Sequence, residues 1–306
     1  MTLKSKYLNK KYEQSLILNG LKSGLSFDLL CQYYDLEYES LDTYLKTHNQ
    51  RIFKHLNAET QLEFIVEVDQ LNSTIFQSIK KHLTYPIFLI LLGAMLTVIY
   101  KVMFVPNIVN MLKDFGYQED FMIKFGDIMY SFLLIVICVM VILFILCLNK
   151  TMRFLILIRF HNFKIMSLVK EMMTIRFVFC YDFLLNKGQH AQSIIKYLRS
   201  MKGFEDVRWL TYHIHQDLDN GKSLDEAIDL PYIDSICVQL FKQGYLNNTL
   251  LSSLSEYINF GKNQIELKLK RWGQTLKVLS YVYIMIYIGL FYSLLFKPLQ
   301  MLEGLI

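Results

Sequence analysis

The sequence predicts an all-α membrane protein with two homologous cytoplasmic helical-bundle domains and three transmembrane helices. Three observations predict this class. The chain of 306 residues is 53% hydrophobic, and its mean hydropathy of +0.29 exceeds that of an ordinary soluble domain. Its apolar residues gather in three long runs, and two polar segments repeat one another. With only 13 Gly and 4 Pro, the composition favours helices over turn-rich or disordered structure.

The three apolar runs predict three membrane spans. We place transmembrane helices at residues 86–106, 128–148 and 278–297, and the apolar runs at their centres hold close to the roughly 20 residues that a helix needs to cross the hydrocarbon. The second and third runs contain no charged residue. The alternative, buried helices of a large soluble core, explains such uncharged length less well.

The positions of Lys and Arg predict the orientation of the spans. Basic residues flank one end of each span, at Lys80, Lys81, Lys150, Arg153, Arg159, Lys268, Lys270, Arg271 and Lys277. The positive-inside rule then makes residues 1–85 and 149–277 cytoplasmic, and the loop 107–127 and the tail 298–306 extracytoplasmic. We therefore expect a multi-pass protein of the plasma membrane. A nucleic-acid surface is the alternative explanation of these charges, but their position beside the spans favours anchoring, so no direct nucleic-acid binding is expected.

An internal repeat predicts the two domains. Residues 21–28 (LKSGLSFD) and 218–225 (LDNGKSLD) share the pattern L-x-x-G-x-S-x-D. Pro86 and Pro106 bracket the first span, and Pro298 ends the third. The offset between copies is 197 residues at the glycines and 192 at Pro106 and Pro298. Two landmarks in the same order indicate a duplicated unit, with a shortened first copy over residues 1–85 and a second copy over 149–277.

The shared pattern predicts a junction between two helices. The glycine is expected to adopt the left-handed conformation that ends one helix, the serine to cap the next helix, and the aspartate to favour its positive N-terminal end. The residues so assigned are Gly24, Ser26 and Asp28 in the first copy and Gly221, Ser223 and Asp225 in the second. Ser223 and Glu226 have the spacing of a capping box. A phosphate-binding loop would need a different glycine pattern.

The order of these elements resembles the polytopic inner-membrane platform proteins of type II secretion and type IV pilus systems, the GspF/PilC family. The most specific similarity lies in residues 84–116 and from about Arg176 onward. The family pattern G-E-x-[ST]-G-x-L corresponds to GYLNNTL here, in which Gly244 and Leu250 match. Tyr245 stands in place of the glutamate and Asn248 in place of the second glycine.

The divergent motif and the short first domain most resemble the competence pseudopilus platform of Gram-positive bacteria. This resemblance implies a homo-oligomer in the lipid bilayer that couples a cytoplasmic assembly ATPase to pilin-like subunits, as required for DNA uptake in transformation. A secretion or adhesion pilus platform is the alternative. We expect Gly24, Gly221 and Gly244 to set interhelical turns, and Pro86, Pro106 and Pro298 to mark the ends of spans.

The sequence offers no signature of catalysis. Its five cysteines are scattered without paired spacing, which argues against a zinc site or a disulfide framework, and no glycine-rich nucleotide loop is present. We predict no enzyme activity, no catalytic or metal-binding residue and no cofactor. A small transporter is a weaker hypothesis, because Lys101 is the only charged residue within the three apolar runs. A membrane-bound enzyme or sensor would need an acid, base or nucleophile constellation that we do not find.

Overall fold

Every regular element is a helix in the part of the chain that the structure describes. The computed structural model describes residues 10–36, 38–47, 52–53, 56–113, 124–131, 133–135, 138, 159, 164–201 and 203–303. Its helices are α1 (Lys10–Lys22), α2 (Phe27–Tyr34), α3 (Leu41–Thr47), α4 (Ala58–Ile99), a π-helical segment (Tyr100–Phe104), α5 (Val105–Lys113), α6 (Lys164–Asn186), α7 (Ala191–Arg199), α8 (Glu205–Asp219), α9 (Leu224–Ala227), α10 (Ser235–Leu246) and α11 (Leu250–Glu303). Residues 124–131 and 133–135 are also helical.

The chain divides into two compact units. Met1–Gln77 and Phe160–Ile265 form the first, and Ser78–Arg159 and Glu266–Ile306 form the second. Both segments that the sequence predicts as cytoplasmic domains therefore contribute to the first unit. From α8 onward, the second segment has the same order of elements as the first: a helix, a G-x-S junction, two shorter helices and one very long helix. In the second segment α6 and α7 precede this series.

The first segment packs its short helices around buried apolar side chains. Ile17, Tyr44, Leu45 and Leu62 are completely buried in this cluster. The phenol of Tyr44 is satisfied because it donates a hydrogen bond of 3.0 Å to the Glu13 carboxylate. The amphipathic pattern of α1 to α4 thus produces a small core of its own in the N-terminal part of the first unit.

The second segment has a larger and more aromatic core. Phe177, Tyr181, Phe241 and Tyr257 are all at most 1% exposed. The Tyr181 ring meets the Phe241 ring edge-on, with centroids 5.5 Å apart. The Tyr257 hydroxyl donates a hydrogen bond of 3.2 Å to the Asp234 carboxylate at the start of α10. Buried tyrosines therefore keep polar partners while they fill the bundle.

Two helices are long and apolar enough to cross a membrane, judged by length and composition: Ala58–Asn110 and Leu250–Phe296. Only 22% of the most apolar window of each is buried. Most of these side chains face outward, unlike those of a core helix in a soluble protein. Lipid solvates such a surface and water does not.

In the second unit, α4 and α11 pack in parallel. Residues of increasing number on one helix contact residues of increasing number on the other. Lys81 contacts Glu266, Tyr100 contacts Tyr287, and the ring centroids of Phe104 and Phe291 are 4.5 Å apart. Gly93 permits this approach, because a Cβ atom there would lie 2.9 Å from the Tyr283 ring. The first and third predicted spans therefore run in the same direction.

The helical backbone continues through all three prolines that we expected at the ends of spans. Pro86 lies inside α4, and Pro298 lies inside α11. Pro106 follows the π-helical segment, in which the Val105 amide bonds the Tyr100 carbonyl. Proline has no N–H to donate to the carbonyl four positions earlier, and its ring clashes with that carbonyl. The wider π-helical turn before Pro106 relieves this clash without ending the helix.

The remaining predicted boundaries are only partly described. The helical residues 124–131 and 133–135 cover the start of the predicted second span, and residues 139–148 lie outside the described part. The Lys101 ammonium, the one charge within the first predicted span, pairs with the Asp127 carboxylate. The ion pair gives this cation a partner near the C-terminal end of that predicted span.

Candidate partner-binding site

The two G-x-S-x-D junctions have similar backbone geometry. Gly24 and Gly221 have φ values of +86° and +84°, in the left-handed region that other residues rarely adopt. The Ser26 hydroxyl accepts a hydrogen bond of 3.4 Å from the Leu29 amide. Ser223 begins a complete capping box with Glu226.

The aspartates of both junctions lie in the first turns that we expected. Asp28 is in the first turn of α2, and Asp225 is in the first turn of α9. Their carboxylates therefore lie beside the free amides of a helix N-terminus. These six residues connect helices and bring no reactive groups together.

Gly244 differs from our expectation of an interhelical turn, because it lies buried inside α10. The left-handed residue of the α10–α11 turn is Asn248, with φ of +55°. A Cβ atom at position 244 would lie 2.7 Å from the Ser253 hydroxyl and 3.0 Å from the Leu250 Cα. The glycine therefore allows the first turn of α11, which begins at Leu250, to approach α10 closely.

A cleft of about 800 Å³ opens at this turn. The motif itself supplies much of its wall, through Gly244, Tyr245, Asn248, Thr249 and Leu250, and Leu185 from α6 also contributes. Thr249 closes the turn by donating its amide to the Gly244 carbonyl at 2.8 Å. The cleft combines apolar walls with hydroxyl and amide groups.

Tyr245, which replaces the family glutamate, is an aromatic part of this cleft. Its side chain is 37% exposed, and its ring is nearly parallel to that of Phe241, with an interplanar angle of 13°. Phe241 belongs to the core of the bundle. The position therefore offers a phenol and a ring face to a partner in place of a charge.

The junction between the two segments was not predicted from the sequence. Phe64 of α4 is fully buried, and its ring centroid lies 5.1 Å from those of Phe53 and Phe183 and 6.0 Å from that of Phe204. Edge-to-face aromatic contacts of this kind add to simple burial. Nothing in the local pattern of α4 identifies which distant rings Phe64 meets.

Beside Phe64, Glu63 of α4 forms ion pairs with a lysine at the end of α1 and with a lysine that follows α6. Its carboxylate lies 2.8 Å from the Lys22 ammonium and 2.6 Å from the Lys187 ammonium. Burial alone would raise the pKa of Glu63, but hydrogen bonds from Lys187 and Lys22 outweigh it and lower the pKa. The acidic residues spaced four apart on α4, at positions 59, 63 and 67, were the available signal for this contact.

Asp182 has the opposite electrostatic environment. Its Oδ1 atom is buried without a hydrogen-bond partner, while Oδ2 accepts a bond of 3.2 Å from Asn186. Burial, assisted by the charge of Glu67, raises the pKa of Asp182 to about 6. Burial, assisted by Glu63, also raises the pKa of Glu67. The junction thus holds two carboxyl groups whose pKa values are raised above their ordinary range by burial and by a neighbouring carboxylate.

Within the described ranges, no group of three or more His, Cys, Asp or Glu side chains could hold a metal ion. Cys31, Cys180 and Cys237 are buried free thiols, and burial raises the pKa of each. Buried neutral thiols of this kind are poor nucleophiles. Cys147 lies outside the described residues.

The fold and the two apolar helices indicate a helical membrane protein. Comparison with known families defines the class further. Residues 183–298 match the model of the family described as type II secretion system (T2SS), protein F. The match begins near the end of α6, includes the cleft, and ends within the candidate membrane helix α11. No curated protein matches the chain.

The matched segment, 116 of the 306 residues, is similar to the type II secretion and type IV pilus platform family. Members of that family are membrane platform proteins of secretion or pilus systems. Proteins of this family are non-enzymatic, and they generally interact with ATPases and with pilin-like subunits in the membrane.

Proposed function

We propose that this chain is the platform of a competence pseudopilus, coupling a cytoplasmic assembly ATPase to pilin-like subunits during DNA uptake. The observation that carries the proposal is the family match over residues 183–298, which joins a helical bundle and a candidate membrane helix in one segment. The specific system rests on the divergent motif, in which Tyr245 and Asn248 replace family residues, and on the short N-terminal domain.

The proposed topology has three spans, with a cytoplasmic N-terminus and an extracytoplasmic C-terminus. The parallel packing of α4 and α11 supports it, because two spans of the same direction require a third, antiparallel span between them. The basic residues at the ends of the spans support the same orientation. Two homologous domains, 1–85 and 149–277, then lie together on the cytoplasmic side.

A labelling experiment tests this topology. Cysteines introduced one at a time in the loop 107–127 should react with a membrane-impermeant thiol reagent in intact cells, and a cysteine at position 235 should react only after the cells are opened. Labelling of position 235 in intact cells would contradict the proposed orientation.

We propose that the cleft at the α10–α11 turn receives the assembly ATPase, and that the outward faces of α4 and α11 guide pilin-like subunits in the bilayer. Leu251 lines the cleft and is 41% exposed, so a side chain placed there would lie at the interface. Force would then pass from the turn into α11, whose helix is continuous from Leu250 to Glu303. Homo-oligomerisation would place several such helices around one growing filament.

Photocrosslinking in cells tests the proposed contact. A photoreactive amino acid at Leu251 should capture the assembly ATPase, identified by mass spectrometry. The matched control is Tyr33 of α2, which is 64% exposed and does not line the cleft. Capture at the control position but not at Leu251 would contradict the assignment of the cleft.

A further inference from the structure

The parallel helices α4 and α11 bring together two basic segments that are distant in sequence. Residues 78–85 and 266–281 together hold six Lys or Arg residues and one carboxylate, Glu266. The Lys81 ammonium forms an ion pair with the Glu266 carboxylate at 3.0 Å, and the Nε2 atom of His82 lies 3.6 Å from the same carboxylate. Their excess positive charge equals the formal net charge of the whole chain, +5. The second unit therefore carries a concentrated positive charge beside its apolar helices.

Some of these cations share one face with tyrosines. On α11, Lys270, Lys277 and Tyr281 are separated by seven and four residues, so they lie on one side of the helix. On α4, Lys81 and Tyr85 are four residues apart. The Tyr85 and Tyr281 hydroxyls are 2.8 Å apart, which joins the two helical faces into one surface. We call Lys81, Tyr85, Lys270, Lys277 and Tyr281 the basic–tyrosine face.

Lys277 is held in place at the centre of this face. Its ammonium lies 5.3 Å from the Tyr85 ring centroid and 5.7 Å from that of Tyr281, so both rings can attract it. The side chains of Lys270 and Lys277 are exposed. In the part of the chain that the structure describes, Lys270 makes no ion pair, so its charge is available to a ligand.

The depth of the face matches the lipid headgroup layer. Lys277 immediately precedes the predicted third span, and Tyr85 immediately precedes the proline at which the predicted first span begins. Lys270 lies about 10 Å from Lys277 along α11, toward the N-terminal end of that helix, at 1.5 Å per residue. Tyrosine at this depth places its ring against acyl chains and its hydroxyl among headgroups.

We propose that the basic–tyrosine face binds the phosphate headgroup of an anionic phospholipid in the cytoplasmic leaflet. The ammonium groups of Lys270 and Lys277 donate to phosphate oxygens, and the hydrogen-bonded pair of tyrosine hydroxyls supplies one further donor. The apolar surface of α4 and α11 contacts the acyl chains. General attraction to the membrane does not require this grouping on one face. The inference does not depend on the pilus assignment, because it needs only that these two helices enter a bilayer.

A charge-matched pair of double variants tests the proposal. Lys270→Gln with Lys277→Gln removes two cations from the face, whereas Lys80→Gln with Arg271→Gln removes two cations from other sides of the same helices. All four side chains are exposed, so neither variant should disturb the fold. Circular dichroism and size-exclusion chromatography of the purified full-length proteins check this.

Binding is measured by native mass spectrometry of full-length protein in detergent, titrated with phosphatidylglycerol or with phosphatidylcholine. We expect phosphatidylglycerol to bind more tightly, and the variant at Lys270 and Lys277 to weaken its binding by roughly tenfold or more. The control variant should weaken it by no more than about threefold. The Lys270→Arg, Lys277→Arg variant should bind as the unaltered protein does.

Three results would overturn the proposal. Equal weakening by the two charge-matched variants would show that total charge, and not this face, attracts the lipid. Equal affinity for the two lipids would remove the preference for an anionic headgroup. Displacement of phosphatidylglycerol by a duplex DNA oligonucleotide at comparable concentration, with the same dependence on Lys270 and Lys277, would assign the face to nucleic acid.

Discussion

Replacing Gly244 by alanine adds one methyl group where α10 and α11 come closest. That Cβ atom would lie 2.7 Å from the Ser253 hydroxyl, 2.9 Å from the Ser253 Cβ and 3.0 Å from the Leu250 Cα. The Leu250 contact is with backbone, so rotating a side chain cannot relieve it. Overpacking of this kind costs about 1–3 kcal/mol, and the better helix propensity of alanine returns about 0.5–1 kcal/mol. We expect a net loss of about 1 kcal/mol in the free energy of unfolding.

Gly261→Ala is the matched control, since Gly261 is also a buried helical glycine of the first unit. The Cβ atom there would lie 3.2 Å from the Cδ1 atom of Ile175, the flexible end of a side chain that can move. The gain in helix propensity should then dominate and stabilise the protein by up to about 1 kcal/mol. The two variants should therefore differ by about 2 kcal/mol.

Urea unfolding of the full-length protein in detergent measures this difference. Trp209 lies in α8 of the first unit, and a Trp272→Phe background leaves it as the only tryptophan, because the chain has two. The fluorescence midpoint should fall for Gly244→Ala and rise or stay unchanged for Gly261→Ala. Equal midpoints for the two variants would refute the argument that α10 and α11 require a glycine at their contact.

Three further substitutions follow from the first unit, each measured by the same urea midpoint. Gly221→Val should lose about 1–2 kcal/mol because a β-branched residue resists its φ of +84°, and an unchanged midpoint would contradict the left-handed junction. Phe64→Ala should lose about 3–5 kcal/mol by emptying a fully buried site; a loss under about 1 kcal/mol would show that the aromatic junction is not formed. The pKa of Asp182 rises from 3.8 to about 6 on folding, so the native state binds the extra proton and this contribution to stability falls as pH rises through that window. Asp182→Asn should remove this pH dependence of the unfolding free energy. At neutral pH the variant should be more stable by about 1 kcal/mol, a value reduced because the group is only half-buried. Identical pH profiles of stability for the two proteins would contradict this prediction.

The features that the sequence predicted well are local ones. A glycine followed by a serine two residues later determines the junctions at Gly24 and Gly221 almost without reference to the rest of the chain, since both the left-handed glycine and the cap depend on adjacent residues. The long apolar runs similarly predicted the two helices that are long and apolar enough to cross a membrane, because length and composition alone make a helix suitable for a bilayer.

The features that the sequence missed depend on contacts between distant residues. Gly244 resembles a turn glycine in its motif, yet its role is set by Ser253 and Leu250 on the next helix. The burial of Phe64 against Phe183 depends on how the two segments meet within the first unit. No periodicity within α4 encodes the identity of those partners.

Pro86, which we expect to mark one end of the first span, lies inside a continuous helix. In the structure, α4 continues, and the Gly273 backbone approaches the His82 carbonyl that Pro86 cannot satisfy: a Cβ atom at position 273 would lie 2.4 Å from that oxygen. Close packing by α11 accommodates the missing hydrogen bond, and sequence patterns do not show such compensation.

The most direct test of the platform assignment is deletion of the gene for this chain, with immunoblots of the pilin-like subunit and the assembly ATPase. We predict that both proteins are still produced while the assembled surface filament and DNA uptake are lost, and that the intact gene restores them. Normal filaments in the deletion strain would contradict the account.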